Sequence, residues 1–169
     1  MRPESGATKG GAAALPELEK IVSEVKSGNR VILFAPGTSS FILGQLIGIS
    51  AFVFLIGSLG KLLGSQLTTG TSAMLQLGLI LVAVACNVFP GIMLIRGHKQ
   101  YRTGLIWISR TLIVLALILI SICSWSEDFT STSIKPLIIS SVFAFCSDFI
   151  YTRPSFIVFC EYFYLMKRN

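Results

Sequence analysis

Four long runs of apolar residues, separated by short polar stretches, dominate the pattern of this chain. A helix needs about 20 predominantly apolar residues to cross roughly 30 Å of hydrocarbon, and each run is near that length. The runs cover residues about 39–63, 73–95, 105–125 and 134–152. The pattern therefore predicts an all-α, polytopic membrane protein, in which residues 36–152 form a bundle of four transmembrane helices.

The end of the fourth run leaves two interpretations open. Arg153 and Pro154 break the pattern, and the apolar and aromatic residues 155–166 that follow are too few to cross the membrane. We therefore predict that 153–169 form an interfacial aromatic helix and a basic tail. The alternative moves the fourth span towards the C-terminus and buries Arg153, Pro154 and Glu161, which the cost of burying charges disfavours.

Residues 1–35 differ from the rest and form an N-terminal segment. The first 14 are rich in glycine and alanine and are expected to be disordered, whereas residues about 15–27 place apolar and charged residues on opposite helical faces. This predicts a short amphipathic helix, which either docks on the bundle or contacts a partner or the membrane surface. No cleavable signal peptide is expected, because the first apolar run begins too late.

Composition excludes a water-soluble single domain. The chain has 53% hydrophobic and 13% charged residues, and a mean hydropathy of +0.75. Soluble domains have about 25% charged residues, and a chain of this length has too small a core to bury the apolar excess. The excess is expected to face lipid.

The net charge of +6 is explained by topology, because the basic residues lie on one side of the predicted spans. Nine of them share that side: Lys20, Lys26, Arg30, Arg96, Lys99, Arg102, Arg153, Lys167 and Arg168. The other side has only Lys61 and Lys135, together with Glu127 and Asp128. The positive-inside rule then predicts a bacterial inner-membrane protein with both termini in the cytoplasm, in contact with the lipid bilayer and not with nucleic acid.

The sequence contains no pattern typical of an enzyme, a cofactor site or a metal site. It has no H-E-x-x-H, G-x-S-x-G, C-x-x-C or phosphate-binding glycine loop. His98 is the only histidine, and a single imidazole without a nearby cysteine or carboxylate is a poor ligand set or acid–base centre. The cysteines are expected to be free thiols within apolar segments. They are Cys86, Cys123, Cys146 and Cys160.

Two charges fall inside the predicted spans. Arg110 lies about six residues from the cytoplasmic end of the third span, roughly 9 Å deep, and Asp148 lies near the same end of the fourth. A charged side chain in hydrocarbon usually faces the bundle and has a partner, which predicts an Arg110–Asp148 ion pair. In the alternative, Arg110 extends to the headgroups and Asp148 reaches the same interface.

Small and polar residues mark two further positions. Ser40, Gly44 and Gly48 recur at a spacing of four, which gives the first span a smooth strip for close helix packing, within the monomer or against another protein. Asn87 and Pro90 mark a polar contact and a kink in the second span.

Three classes of function remain. The first is a non-enzymatic membrane protein that recognises another membrane protein through its helices and N-terminal segment, with oligomers possible. The second is a small transporter or channel subunit, or an assembly factor of a membrane complex, with Arg110, Asp148 and Asn87 lining the route of a transporter. The third is an integral membrane enzyme, for which the sequence offers no catalytic residue.

The layout resembles that of the small plasmid-encoded entry-exclusion proteins of F-like conjugation systems, the TraS type. The resemblance rests on the N-terminal segment PELEKIVSEVKSGNRV, four spans, small outer loops and the basic tail LMKRN. It implies a recipient-cell inner-membrane protein that blocks redundant plasmid transfer by recognising the donor mating-pair protein TraG. The layout is also similar to that of the four-span immunity proteins against pore-forming colicins.

Overall fold

A computed structural model describes residues 9–63, 69–125 and 131–168. Within those residues the chain forms six α-helices and no strand. The helices are α1 (Lys9–Lys26), α2 (Thr38–Leu63), α3 (Thr69–Ile95), α4 (Tyr101–Trp125), α5 (Ser131–Thr152) and α6 (Pro154–Lys167). The two loops predicted to lie opposite the basic residues, about 64–72 and 126–133, are largely outside the described residues.

Four of these helices, α2 to α5, are long and apolar enough to cross a membrane, so the protein is a four-span helical membrane protein. The candidate spans are Thr38–Lys61, Gly70–Ile95, Tyr101–Ser124 and Ile134–Thr152. α3 and α4 each begin four residues before the predicted apolar run, because the polar residues that precede it continue the helix. The fourth span ends at Thr152 and α6 starts at Pro154, so the shifted span of the alternative interpretation is not observed.

The N-terminal helix α1 is longer than expected. It begins at Lys9 instead of residue 15, so residues 9–14, expected to be disordered, are helical. Three consecutive alanines at 12–14 explain the extension, since alanine has the highest helix propensity. The apolar face of α1 does not stay free: Leu18 and Val22 are buried against Tyr162 of α6.

The spans alternate in direction, and α5 lies between α2 and α4. Ala51 of α2, Ala116 of α4 and Ala144 of α5 are completely buried in the core that these three helices share. Small side chains at such positions allow helix backbones to approach closely, and close packing drives the association of helices in lipid. α3 packs mainly on α2.

Large apolar side chains cover the outside of the bundle. Leu46, Leu81, Val114 and Phe145, one from each span, are all more than half exposed. In a soluble protein such a surface would aggregate, whereas in a bilayer it is the surface that lipid chains contact.

One end of the bundle, which we call the basic end, holds the start of α2 and α4, the end of α3 and α5, and all of α6. Its cations are Arg96, Lys99, Arg102, Arg153, Lys167 and Arg168. α6 docks there through Phe156, Phe159 and Cys160, which are buried, and the ring of Phe159 stacks on that of Phe41 with centroids 4.6 Å apart. Burial raises the pKa of the Cys160 thiol to about 12.

Candidate functional site

Neutral polar side chains from three spans meet inside the bundle. We call Asn87, Ser109, Ser147 and Tyr151 the buried polar cluster, because each is at most 3% exposed. The hydroxyl oxygens of Ser109 and Ser147 lie 3.1 Å apart and share a hydrogen bond between α4 and α5. Ser109 also donates to the Leu105 carbonyl one turn earlier. This hydrogen bond joins α4 to α5 away from lipid, and Asn87 brings a buried amide from α3 to the same region.

Gly48 of α2 lies directly against this cluster. A Cβ atom at Gly48 would lie 2.6 Å from Asn87 Nδ2, 3.3 Å from Ser147 Oγ and 3.4 Å from the Tyr151 hydroxyl. Three polar atoms therefore converge on the place where a side chain would stand. Asn87 Oδ1 and the Tyr151 hydroxyl have no hydrogen-bond partner among the described residues, so the cluster is only partly satisfied from within the chain.

The strip of small residues on α2 faces the interior of the same chain. A Cβ at Gly44 would lie 2.6 Å from the Tyr151 ring, and the Ser40 hydroxyl shares a hydrogen bond with that of Ser155, 2.8 Å away. Ser40, Gly44 and Gly48 therefore contact α5 and the start of α6. α3 continues as one helix through Pro90 to Ile95.

The structure brings the two intramembrane charges together. Arg110 Nε donates to Asp148 Oδ1 over 3.2 Å, which links α4 to α5. The two side chains differ in environment, since that of Arg110 is 57% exposed and that of Asp148 19%. The pair lies on the outer surface of the bundle and not in its interior.

The guanidinium of Arg110 has unused hydrogen-bonding capacity. An arginine presents five N–H donors in a planar fork, and of these only Nε–H has a partner among the described residues. Trp107 and Thr111, one turn before it and one residue after it on α4, are also exposed. This stretch of α4 therefore presents a cation, an aromatic ring and a hydroxyl outward at membrane depth.

The other notable side chains lie at the basic end. Lys99 Nζ is 3.3 Å from Glu161 Oε1, which ties the α3–α4 loop to α6, and Arg102 Nε donates to the Tyr151 carbonyl over 3.1 Å. The ring of His98 packs against that of Tyr101 in a T-shaped arrangement, with centroids 6.3 Å apart. These contacts hold α6 and the loops in place.

The part of the chain that the structure describes has no group of three or more histidine, cysteine or acidic side chains that could hold a metal ion. Cys86, Cys123, Cys146 and Cys160 are free thiols. The two groups of described side chains that stand out within the spans are the buried polar cluster inside the bundle and the Arg110–Asp148 pair on its surface.

Sequence reasoning identified Asn87 but not the rest of the buried polar cluster. A signal was present on α5, where Ser140, Ala144, Ser147 and Tyr151 follow each other at spacings of four, three and four. Such spacings place residues on one helical face. Among large apolar neighbours, this small and polar face marks the side of α5 that packs inward, and Ser140 indeed donates to the Ala51 carbonyl over 2.7 Å.

Comparisons with models of protein families, with curated proteins and with solved structures find no match for this chain.

Proposed function

We propose that this chain is a non-enzymatic membrane protein that recognises another membrane protein through the Arg110–Asp148 pair. The observation that carries the proposal is that the pair faces outward, with the Arg110 side chain 57% exposed at membrane depth. Intramembrane charges normally face the bundle interior or a partner, because a charge in contact with lipid chains is costly. An outward-facing pair is therefore best explained by a second protein that covers it.

The chemistry of the pair defines what the partner must offer. Asp148 neutralises the charge of Arg110, so the partner need not bring an opposite charge. The remaining guanidinium N–H groups need oxygen acceptors, which a carboxylate, amide or hydroxyl on a transmembrane helix would supply. The exposed ring of Trp107 beside them adds apolar contact area.

The biological role that we propose for this recognition is entry exclusion. The chain would then lie in the inner membrane of a recipient bacterium, with both termini in the cytoplasm. It would block redundant conjugative transfer by contacting the mating-pair protein TraG of the donor. Support comes from the layout of four spans with a docked N-terminal helix and basic residues gathered at one end. The outward-facing N–H donors of Arg110 that have no partner among the described residues support recognition in general.

A conjugation assay tests both levels of the proposal. Recipients that express the wild-type chain are expected to receive the cognate plasmid far less often than recipients without it. The double variant Arg110→Leu/Asp148→Leu should accumulate normally and no longer exclude, whereas Lys135→Leu, which removes an exposed cation from the opposite end, should exclude like the wild type.

Different outcomes contradict different parts of the proposal. Unchanged transfer with the wild-type chain refutes entry exclusion, and protection from a pore-forming colicin in the same cells would then assign the recognition to immunity. Exclusion that persists in the Arg110→Leu/Asp148→Leu variant refutes the role of the pair. The charge swap Arg110→Asp/Asp148→Arg should restore accumulation that either single change reduces, if the two residues pair in the cell.

A small transporter is a second candidate, because polar side chains of α3 and α5 converge on Gly48 of α2. In that case Asn87 and Tyr151 would contact the solute, while the outward-facing Arg110 would lie off the route. Flux through proteoliposomes should then fall in Asn87→Leu and remain in Arg110→Leu. Equal flux in wild type, Asn87→Leu and empty liposomes would rule out transport through the cluster.

A further inference from the structure

A groove at the basic end combines apolar walls with free cations. It has a volume of about 570 Å³ and lies between residues 32–35, the end of α3 and α6. Its lining includes the apolar side chains of Ile32, Ile95 and Met166. The basic residues Arg96 and Lys167 also line the groove. None of the described residues that line it is acidic.

No described acidic residue neutralises the two cations. Arg96 and Lys167 are both exposed, and neither forms an ion pair or side-chain hydrogen bond with the described residues, whereas neighbouring Lys99 is paired with Glu161. The turn at Gly97 brings them together: its φ is +85°, and a Cβ there would lie 3.1 Å from Lys167 Cβ. Only glycine suits this close approach, so the turn that follows Arg96 packs directly against Lys167, and both basic residues line the same groove.

The residues around the groove indicate where it lies relative to a bilayer. Ile95 is the last residue of the α3 span, and Arg96 follows it directly. The segment before α2 carries three strongly exposed apolar side chains, Val31 at 88%, Leu33 at 90% and Phe34 at 76%. Side chains of this kind are stable when they insert among lipid chains, so the groove opens where hydrocarbon meets headgroups.

We propose that this groove binds one anionic glycerophospholipid of the surrounding bilayer. The headgroup phosphate contacts Arg96 and Lys167, and the start of an acyl chain lies along Ile32, Ile95 and Met166. A free phosphate would leave the apolar walls without a ligand, and a zwitterionic lipid would bring its own cation towards the two basic side chains. The site is separate from the Arg110–Asp148 pair and does not depend on the function proposed for that pair.

Lipid binding by the purified full chain tests this site. In detergent, wild-type protein titrated with phosphatidylglycerol should show one tightly bound lipid by native mass spectrometry and a raised unfolding temperature. Phosphatidylcholine and inorganic phosphate should have little effect. In Arg96→Gln/Lys167→Gln the affinity should fall about 30-fold, since each cation near a headgroup contributes roughly fivefold.

The matched control is Lys61→Gln/Lys135→Gln, which removes two exposed cations from the opposite end. It should bind phosphatidylglycerol like the wild type, and an equal loss in this control would overturn the proposal in favour of general charge attraction. Saturation of the site by inorganic phosphate, or equal binding of phosphatidylcholine, would also overturn it.

Two further measurements separate lost binding from lost folding. Cys160 lies on the buried face of α6 and is 3% exposed, so its resistance to maleimide reports that α6 remains docked in each variant. The conservative double variant Arg96→Lys/Lys167→Arg keeps both charges and should retain the bound lipid. If it binds no better than the glutamine variant while Cys160 stays protected, the two cations do not form the site.

Discussion

Two polar contacts between α4 and α5 lie one residue apart in sequence and differ in almost every physical respect. The Ser109–Ser147 contact is neutral and buried, with its oxygens 3.1 Å apart. The Arg110–Asp148 contact is ionic and faces outward, with its atoms 3.2 Å apart. Because each helical residue turns the side chain by about 100°, one step along both helices moves a contact from the bundle interior to its surface.

The difference separates two tasks that polar residues perform in a membrane. The buried serines satisfy each other and need nothing from outside, so their contribution is to the packing of the bundle. The outward pair leaves most of the Arg110 donors without a partner among the described residues, so its geometry is complete only with an external group. We therefore expect stability to depend most on the close packing around the buried cluster, less on the charge balance of the exterior pair, and least on the serine hydrogen bond itself. Recognition is expected to depend on the exterior pair.

The largest effect is expected from filling the space beneath the buried polar cluster. Gly48→Leu forces its side chain against Asn87 and Ser147, and should lower the free energy of unfolding by about 3 kcal/mol, the upper end of the usual cost of overpacking. Thermal unfolding in detergent, followed by circular dichroism, measures the loss.

The control for this change is Gly57→Leu on the same helix, because a Cβ at Gly57 has nothing within 4 Å. It should unfold like the wild type. If both variants are equally stable, the interior of the bundle is less closely packed than the structure indicates, and the comparison between interior and exterior fails.

A smaller effect is expected from leaving the exterior pair incomplete. Asp148→Leu leaves Arg110 unpaired and in contact with lipid. Its free energy of unfolding should be about 1 to 2 kcal/mol lower than that of Arg110→Leu/Asp148→Leu. This is below the roughly 3 kcal/mol cost of a charge at the bilayer centre, because Arg110 is near one end of its span. Equal unfolding temperatures for the single and double variants would mean that Arg110 already reaches the headgroups and gains nothing from Asp148.

The smallest effect is expected for the buried serines. A double-mutant cycle of Ser109→Ala and Ser147→Ala should give a coupling of about 0.6 kcal/mol, the average for hydrogen bonds between membrane helices. A coupling above that of the Arg110–Asp148 cycle would reverse the order of the two contacts and contradict the comparison.

The membrane class and the four spans could be predicted because both depend on local composition. A run of about 20 apolar residues has few stable conformations other than a helix across the membrane, so the pattern alone determines the helices. Contacts between the helices could be predicted only at residues that are unusual in a membrane span. Arg110 and Asp148 drew attention because charges are rare in spans, whereas Ser109 and Ser147 are common residues whose meeting depends on how α4 and α5 rotate against each other.

The ends of the chain illustrate the same limit. The apolar face of α1 was visible in the sequence, but its contact with Tyr162 joins residues that are far apart. Likewise, α6 was expected at the membrane interface from its length, yet four of its residues, Phe156, Phe159, Cys160 and Tyr162, are buried against the rest of the protein. No local pattern distinguishes an aromatic helix that lies in lipid headgroups from one that covers the end of a bundle.

The docking of α1 on α6 also sets an order for biosynthesis. Lys26 Nζ donates to the Arg168 carbonyl over 2.7 Å, across 142 positions of sequence. At about 5–20 residues per second, roughly 7 to 28 seconds of translation separate these two residues. During that interval the apolar face of α1 waits for Tyr162 of α6, so this helix is synthesised well before the helix that covers it.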